Sequence, residues 1–356
     1  MFSVLCARQH EAIWPRCLTA VFVSVMLAVS TMSLAAPPPE KSVQEETVRI
    51  PGPIEGLKLG LRHASMMSVA AHHAHPAVIF LHGSAVPVSG NPDFFQGGHS
   101  FMTALAERGF DVWALDFYGF GESDRYPEMQ DPPDKHPPLG TARECADQVQ
   151  SVAAFLKRER HLEKIMLIGD SGGSLVAGLF AAEHPDSVSR LILFAPVTPF
   201  TDTPSPQGVL PAYEFITAQT LWSLLKTWSE AAGTPDVLDS SAYQAWADVY
   251  LRSDPTSGTR NPPSVKIPNG READLAAIAR GRFTFDPSEI RAPTLIVMGE
   301  LDTVATFQGA QWLLKALKQA ASRRLIVLGH GSHTIQFESE RGRLYAVTAE
   351  FLGEKD

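Results

Sequence analysis

Cysteine is scarce in this chain. There are three cysteines in 356 residues, and two of them, Cys6 and Cys17, lie in an N-terminal segment that we expect to be removed. Cys145 would then be the single cysteine of the mature chain, and one thiol can form no intramolecular disulfide. Stability must therefore come from an ordinary buried core, and we expect Cys145 itself to be a small buried apolar side chain.

The apolar run near the N-terminus is too short to cross a membrane. It covers residues 18–29, about a dozen residues, whereas a spanning helix needs about 20. Arg8 and Arg16 precede the run, and the small residues Ser33 and Ala35 follow it, which is typical of a cleavable export signal. We predict a signal peptide over residues 1–35, a periplasmic or secreted location, and no membrane span after its removal.

Basic residues are outnumbered. The chain has 30 Lys and Arg against 39 Asp and Glu, a net charge of −9. The predicted signal carries two arginines and one glutamate, so the mature chain would be slightly more acidic still. Such a surface repels phosphate backbones, which excludes nucleic acid as an expected partner.

The rest of the chain alternates short apolar runs with longer helical patterns. After a proline-rich linker over 36–46, this alternation predicts a mostly parallel sheet covered by helices on both faces. The predicted strands are 77–81, 111–115, 164–168, 190–194, 294–298 and 324–328. The predicted helices between them are 101–108, 141–158, 171–183, 307–319 and 337–351.

Residues 199–285 interrupt the alternation. This stretch has no convincing strand and is rich in Trp, Ala, Pro and Ser. A structureless loop of that length would be implausible in a compact domain. We therefore predict a helical cap over 199–285, with helices at 213–228 and 241–250, and a core formed by 47–198 and 286–356.

Gly169-Asp170-Ser171-Gly172-Gly173 lies between a predicted strand and a predicted helix. In that context a G-x-S-x-G sequence indicates a nucleophile elbow, a sharp turn that holds a serine hydroxyl at the sheet edge. Glycines at 169 and 173 are expected because the backbone is crowded at such a turn. The helix N-terminus beside Ser171 would favour developing negative charge.

Four further stretches resemble the α/β-hydrolase superfamily, and they occur in the order typical of that family. His82-Gly83-Ser84 follows a predicted strand and resembles the oxyanion turn. Residues 116–123 are similar to the D-x-x-G-x-G-x-S turn, and 293–302 resemble the strand that delivers the triad acid. Residues 329–333, with Glu338 following, resemble the turn that delivers the histidine. The resemblance implies an α/β-hydrolase fold with a helical cap inserted before the acid-bearing strand.

Serine needs a base and an acid to become a nucleophile. His330 and His333 both lie late in the chain, where the Ser-acid-His order requires the base. The resemblance places the base at His333 and the acid at Asp302. His330 stays open as an alternative base, as does Asp202 as an alternative acid, while Glu300 is expected to be solvated or to support the site.

The developing oxyanion needs fixed donors. The backbone N–H of Gly172 is expected to supply one, and the resemblance assigns the other to the N–H of Ser84. Asp116 and Asp124 are expected to brace the nearby turn and to have no chemical role.

Histidines 72, 73 and 75, with His63 nearby, have neither a carboxylate nor a cysteine close to them, so we predict no metal site there. No cofactor is required by the predicted chemistry. Three cap tryptophans are expected either to line a substrate pocket or to pack the cap on the core: Trp222, Trp228 and Trp246.

We predict a carboxylic ester hydrolase that acts on a small-molecule or polymer-derived ester through an acyl-enzyme. One alternative is a peptidase resembling proline iminopeptidases, which would need an acidic anchor for the substrate amine such as Glu214, Glu230 or Asp236. Another is a ligand-binding protein that has kept the fold without catalysis. Dehalogenases and epoxide hydrolases of this fold are disfavoured because they use an aspartate where this chain has Ser171.

Overall fold

A computed structural model describes residues 42–66, 77–201, 208–230 and 238–355. The predicted signal peptide, the histidines at 72, 73 and 75, Asp202 and Asp236 lie outside these ranges. The predicted core and cap segments fall within one compact unit, residues 41–356.

The core is an eight-stranded sheet in the order β1-β2-β4-β3-β5-β6-β9-β10. Only the pairings of β1 with β2 and of β2 with β4 are antiparallel among these eight strands. The strands are β1 (Val43–Pro51), β2 (Lys58–Met66), β3 (Ala77–Leu81), β4 (Asp111–Asp116), β5 (Ile165–Asp170), β6 (Val188–Phe194), β9 (Thr294–Gly299) and β10 (Arg323–Leu328). The six predicted strands are all present, within about one or two residues of the predicted ends.

Helices cover both faces of the sheet. In β5, Leu167 packs in one apolar cluster and its neighbours Met166 and Ile168 pack in the other, because successive strand side chains point to opposite faces. The first cluster includes residues of α2, α3 and α7, and the second includes residues of α1 and α8. The core helices are α1 (Phe101–Ala106), α2 (Ala142–Arg160), α3 (Gly172–Glu183), α7 (Phe307–Ala316) and α8 (Arg341–Gly353).

The N-terminal part of the core differs from the sequence prediction. Strands β1 and β2 were not predicted, and the last residues of the predicted linker, 43–46, belong to β1. Most residues of β1 are exposed along a sheet edge, so the strand lacks the apolar run by which a buried strand is recognised. Its pairing with β2, whose Leu59 and Leu61 are fully buried, holds it in place.

The cap contains a small sheet as well as helices. The prediction that residues 199–285 lack strands was wrong: β7 (Tyr213–Ile216) pairs antiparallel with β8 (Val265–Pro268). The predicted helix 213–228 therefore begins only at Ala218, because the aromatic and β-branched residues before it pair with a segment far away in sequence. The cap helices are α4 (Ala218–Glu230), α5 (Tyr243–Arg252) and α6 (Gly270–Ala279). Within the described ranges no helix combines the length and hydrophobicity needed to cross a membrane.

The parallel strands end on one edge of the sheet, and the predicted site residues follow those ends. Ser84 follows β3, Ser171 follows β5, Asp302 follows β9 and His333 follows β10. In open α/β sheets ligands bind outside the carboxyl ends of the strands. The cap lies over the same edge, since cap residues such as Leu221 and Leu275 line a cavity together with Ser171.

Candidate active site

Ser171 occupies a strained turn between β5 and α3. Its backbone has φ 49° and ψ −116°, a conformation that non-glycine residues rarely adopt. A Cβ on Gly169 would lie 2.5 Å from the carbonyl oxygen of Gly173, and a Cβ on Gly173 would lie 2.2 Å from that of Leu81. The crowding expected at the two glycines is therefore confirmed.

His333 bridges Ser171 and Asp302. The Oγ atom of Ser171 lies 3.0 Å from Nε2 of His333, and Nδ1 of His333 lies 2.9 Å from Oδ2 of Asp302. Both His333 and Asp302 are buried. The structure thus brings together the three residues predicted as nucleophile, base and acid, in a hydrogen-bonded chain suited to proton transfer.

Burial and charge act in opposite directions on His333. Burial lowers its pKa, but the charge of Asp302 and the hydrogen bond to it outweigh this effect, so the pKa is raised above 6.5. The indole of Trp228 packs edge-on against the imidazole, with ring centroids 5.1 Å apart. Asp302 and Trp228 together restrict the orientation of the ring.

Asp302 is itself fixed by the backbone. Its Oδ1 atom accepts hydrogen bonds from the N–H groups of Val304 and Ala305, each 2.8 Å long. The turn that carries His333 is held by buried Glu338, which accepts hydrogen bonds from the Ser332 N–H and hydroxyl and from the Thr334 hydroxyl. These bonds fix the acid and the base before any substrate binds.

The alternative base and acid are not part of this chain of contacts. His330 is exposed, and its backbone N–H donates to Oε2 of Glu300 over 3.2 Å. Glu300 therefore supports the loop next to the site, as expected for a supporting residue. Asp202, the other alternative acid, lies outside the described residues.

Ser84 and Gly172 lie side by side next to Ser171. A Cβ on Gly172 would be 2.1 Å from Oγ of Ser84 and 3.4 Å from its backbone nitrogen. Among the hydrogen bonds of the described ranges, none uses the N–H of Ser84. Both predicted donors are therefore close to the nucleophile, where a developing oxyanion needs them.

Buried polar groups hold the oxyanion turn in place. His82 is buried, and its Nδ1 atom lies 2.6 Å from the carbonyl oxygen of Gly83. Burial lowers the pKa of His82, which keeps the ring neutral. Asp116 accepts hydrogen bonds from the N–H groups of Val88 and Glu122, so its predicted bracing role is confirmed. Asp124 braces β2 instead, by accepting the N–H of Lys58.

A small, mostly apolar cavity of about 70 Å³ opens beside Ser171. Its apolar lining comes from both core and cap: Val86, Leu175, Leu221, Leu225, Trp228 and Leu275. Trp228 is thus a cavity residue, whereas Trp222 and Trp246 are buried packing residues, and the indole N–H of Trp246 donates to the carbonyl of Gly90.

The polar cavity residues that were not identified from the sequence are Asp170, Asn91, Arg271, Thr201, Thr334 and Gln336. Asp170 and Asn91 are buried and hydrogen-bonded to each other, and Arg271 enters from the N-terminus of α6. Asp170 directly precedes Ser171 in the elbow motif, so the sequence alone could have identified it as a residue near the site. Asn91 and Arg271 lie in segments without a motif, and only folding brings them to the cavity.

Cys145 and His63, which were also considered in the sequence analysis, make contacts typical of structural residues. Cys145 is buried, as expected. His63 stacks on Trp113 and lies within hydrogen-bond distance of Asp111 and Glu46, far along the chain from the triad residues. Across the described ranges, no group of three or more His, Cys, Asp or Glu side chains is arranged to hold a metal ion.

The fold and this site define the class of the protein: it is a serine hydrolase of the α/β-hydrolase superfamily. More narrowly, residues 73–340 match the family described as Serine aminopeptidase, S33, and the chain belongs to that family.

The chain is also similar to other proteins of known sequence or structure. The AB hydrolase superfamily protein YisY of Bacillus subtilis is 26% identical over 300 residues, covering 81% of this chain and 96% of the relative. Among solved structures, a meta-cleavage product hydrolase from Pseudomonas fluorescens IP01 has a TM-score of 0.58 at 17% identity, covering 85% of this chain and 96% of that one. An esterase from Thermogutta terrifontis has a TM-score of 0.53 at 18% identity, covering 86% and 98%. At such identities the structural likeness shows the fold alone.

Proposed function

We propose that this protein hydrolyses carboxylic esters through an acyl-enzyme formed on Ser171. The observation that carries the proposal is the chain of contacts from Ser171 through His333 to Asp302 at the wall of an apolar cavity. An ester provides the carbonyl that a serine can attack, and an apolar cavity suits the acyl or alcohol group.

In the proposed mechanism, Nε2 of His333 takes the proton of the Ser171 hydroxyl as its oxygen attacks the ester carbonyl. Asp302 stabilises the imidazolium that forms, while the N–H groups of Ser84 and Gly172 bind the oxyanion. His333 then gives the proton to the leaving alcohol. Water enters, loses a proton to His333 and attacks the acyl carbonyl. His333 then returns that proton to Oγ of Ser171 as the acid leaves, which restores the free serine.

The size of the cavity favours short acyl groups. Its volume of about 70 Å³ is well below the several hundred Å³ typical of sites for drug-sized ligands. Within a series of p-nitrophenyl esters from acetate to laurate, we therefore expect kcat/KM to be highest for the short chains and to fall toward laurate.

The ester series also tests the proposed residues. Replacing Ser171 or His333 by Ala should lower kcat about a millionfold, since in another serine hydrolase losing the nucleophile or the base has that effect. His330→Ala is the matched control and should retain activity, because that ring is exposed and makes no contact with Ser171. If His330→Ala abolished turnover and His333→Ala kept it, the base would be misassigned.

Hydrolysis of peptides is the second candidate, and the family description favours it. The cap residue Glu214 could anchor a substrate amine by its charge, but it does not line the cavity at Ser171. The Glu230 side chain and Asp236 lie outside the part of the chain that the structure describes. Turnover of prolyl or alanyl amides at rates above those of the matched esters would favour this function over ester hydrolysis.

We also propose that the protein is exported. This proposal rests on the charge and hydropathy pattern of residues 1–35, and N-terminal sequencing of the protein from its native host tests it. A mature N-terminus directly after Ala35 is the expected result, and an intact N-terminus would contradict it.

A further inference from the structure

The Ser84 N–H is carried by residues 82–91, a loop between β3 and α1 that we call the oxyanion loop. The loop lies outside the strands of the sheet, so contacts with neighbouring elements must hold it in place. One such contact is at the end of β4, where Oδ1 of Asp116 accepts the N–H of Val88 over 2.8 Å. That bond joins the loop to β4, but not to the elbow at Ser171, beside which the Ser84 N–H is needed.

Asp170 and Asn91 join the oxyanion loop to the elbow. Asp170 directly precedes Ser171, and the amide nitrogen of Asn91 donates to its Oδ2 atom over 2.7 Å. The same carboxylate lies beside the other end of the loop, since a Cβ on Gly83 would be 3.5 Å from Oδ2 of Asp170. Asp170 is therefore adjacent to both ends of the loop, at Asn91 and at the residue before Ser84.

Both side chains are sealed from solvent, as expected for a contact that holds two segments together. Asp170 is 2% exposed and Asn91 is 5% exposed. Their Oδ1 atoms are buried and have no hydrogen-bond partner among the described residues. Burial of the carboxylate with one neutral donor is unfavourable, and it raises the pKa of Asp170 to about 6. At neutral pH the acceptor is nevertheless charged, and hydrogen bonds to charged groups are stronger than neutral ones.

A carboxylate also fixes which way the amide of Asn91 points. Both oxygens of a charged carboxylate accept and neither donates, so only the NH2 group of Asn91 can face Asp170. An asparagine at position 170 would permit a second arrangement, in which the two amides exchange their roles as donor and acceptor. Asp170 thus selects one orientation of Asn91, and with it one position of the oxyanion loop.

We propose that the hydrogen bond between Asp170 and Asn91 positions the Ser84 N–H for the oxyanion, so that both are positioning residues for the reaction at Ser171. In another serine hydrolase, losing one oxyanion donor lowers kcat about 10²–10³-fold. Because the oxyanion develops only as the reaction proceeds, a displaced donor lowers kcat and changes KM little. This role rests on the proposed function, since that reaction forms the oxyanion.

The test removes the donor and follows turnover of p-nitrophenyl acetate at about pH 8. Asn91→Leu has a similar size and no N–H, so kcat should fall at least about tenfold while KM stays within about twofold. That variant leaves the carboxylate of Asp170 without a donor and is expected to be less stable. Asn91→Leu combined with Asp170→Leu removes both polar groups, which is nearly neutral for stability when the shape is kept. The same loss of kcat is expected for this leucine pair.

Exchanging the two side chains should restore the bond. In Asn91→Asp combined with Asp170→Asn, the amide at 170 donates to the carboxylate at 91, so kcat should return to within about threefold of the unsubstituted protein. An effect of general stability alone would not be reversed in this way. Phe95→Leu is the matched control, because Phe95 lies after the oxyanion loop and is 63% exposed, and its kcat should be unchanged. Melting curves show that each variant is folded.

Labelling of Ser171 by a fluorophosphonate tests the same role without an ester. The Oγ atom displaces fluoride at phosphorus, His333 takes the hydroxyl proton, and the phosphoryl oxygen occupies the place of the oxyanion. The labelling rate, followed by mass spectrometry, should fall at least about tenfold in the leucine pair and recover in the exchanged pair.

Three results would overturn the positioning role: a leucine pair with kcat within about twofold of the unsubstituted protein, a loss that lies in KM alone, or an exchanged pair no more active than the leucine pair. Failure of the proposed function looks different. In that case the unsubstituted protein would hydrolyse no p-nitrophenyl ester, while the labelling rates would still rank the variants in the expected order.

Discussion

Replacing Asp302 by Asn should abolish most activity by changing the tautomer of His333. The Oδ1 position accepts two backbone N–H groups, from Val304 and Ala305, at 2.8 Å each. An asparagine that turned its NH2 toward them would leave two buried N–H groups unsatisfied, at a cost of about 1–3 kcal/mol each. The amide oxygen therefore takes the Oδ1 position, and the NH2 takes the Oδ2 position, 2.9 Å from Nδ1 of His333.

The Oδ1 position also lies 3.1 Å from Nδ1 of His333, but an oxygen there already accepts the two backbone N–H groups. With the NH2 group at the shorter distance of 2.9 Å, we expect Nδ1 to accept a hydrogen bond and the ring proton to move to Nε2. Nε2 can then no longer accept the proton of Ser171. In a serine protease with the same arrangement, this substitution lowers kcat about 10⁴-fold, which corresponds to about 5 kcal/mol of transition-state stabilisation. We expect a loss of that size for p-nitrophenyl acetate.

The assay compares kcat of Asp302→Asn with that of the unsubstituted protein, with Ser171→Ala as the floor. Glu300→Gln is the matched control, because Glu300 lies two residues away and its carboxylate accepts a hydrogen bond from the backbone N–H of His330. Nitrogen NMR of the imidazole reports which ring nitrogen carries the proton. Activity within tenfold of the unsubstituted protein, or a proton that stays on Nδ1, would refute this reasoning.

Three further predictions follow from the same structure. The pKa of His333 is raised above 6.5, and the ring must be neutral to act as a base. The value of kcat/KM should therefore fall about tenfold for each pH unit below that pKa. A pH-rate profile without this decrease at low pH would contradict the assignment of His333 as the base. Gly173→Ala should destabilise the fold by several kcal/mol in urea unfolding, since the new Cβ meets the carbonyl of Leu81, whereas Gly342→Ala, which meets nothing within 4 Å, should be neutral or slightly stabilising. The pKa of Asp170 rises from 3.8 to about 6 on folding, so the stability this carboxyl contributes is full below pH 3.8 and is lost as pH rises through 6. Asp170→Asn should thus be more stable than the unsubstituted protein at pH 7, by up to about 3 kcal/mol, and the difference should shrink toward pH 4; a gap that does not change with pH would count against it.

The sequence by itself determined the core strands and the order of the site residues. The six predicted strands are short apolar runs with turn residues at their ends, and such a signal is local; five of them are almost wholly buried, whereas β10 is mostly half-buried or exposed. The elbow around Ser171 was equally local, because the glycines that permit the turn stand next to the serine. The positions of Asp302 and His333 were inferred from motifs that follow predicted strands.

Only the tertiary structure decided which groups meet at the cavity. Strand β1 is mostly exposed, and β7 and β8 have four residues each, so none of the three shows the pattern of a buried strand; β7 and β8 also pair across a long stretch of sequence. Asn91 reaches Asp170 because the loop after β3 folds back beside the elbow. Position likewise distinguishes His333 from His330, since the His333 ring is buried beside Ser171 and the His330 ring is exposed. Contacts of this kind follow from packing over long sequence separations, which no local pattern records.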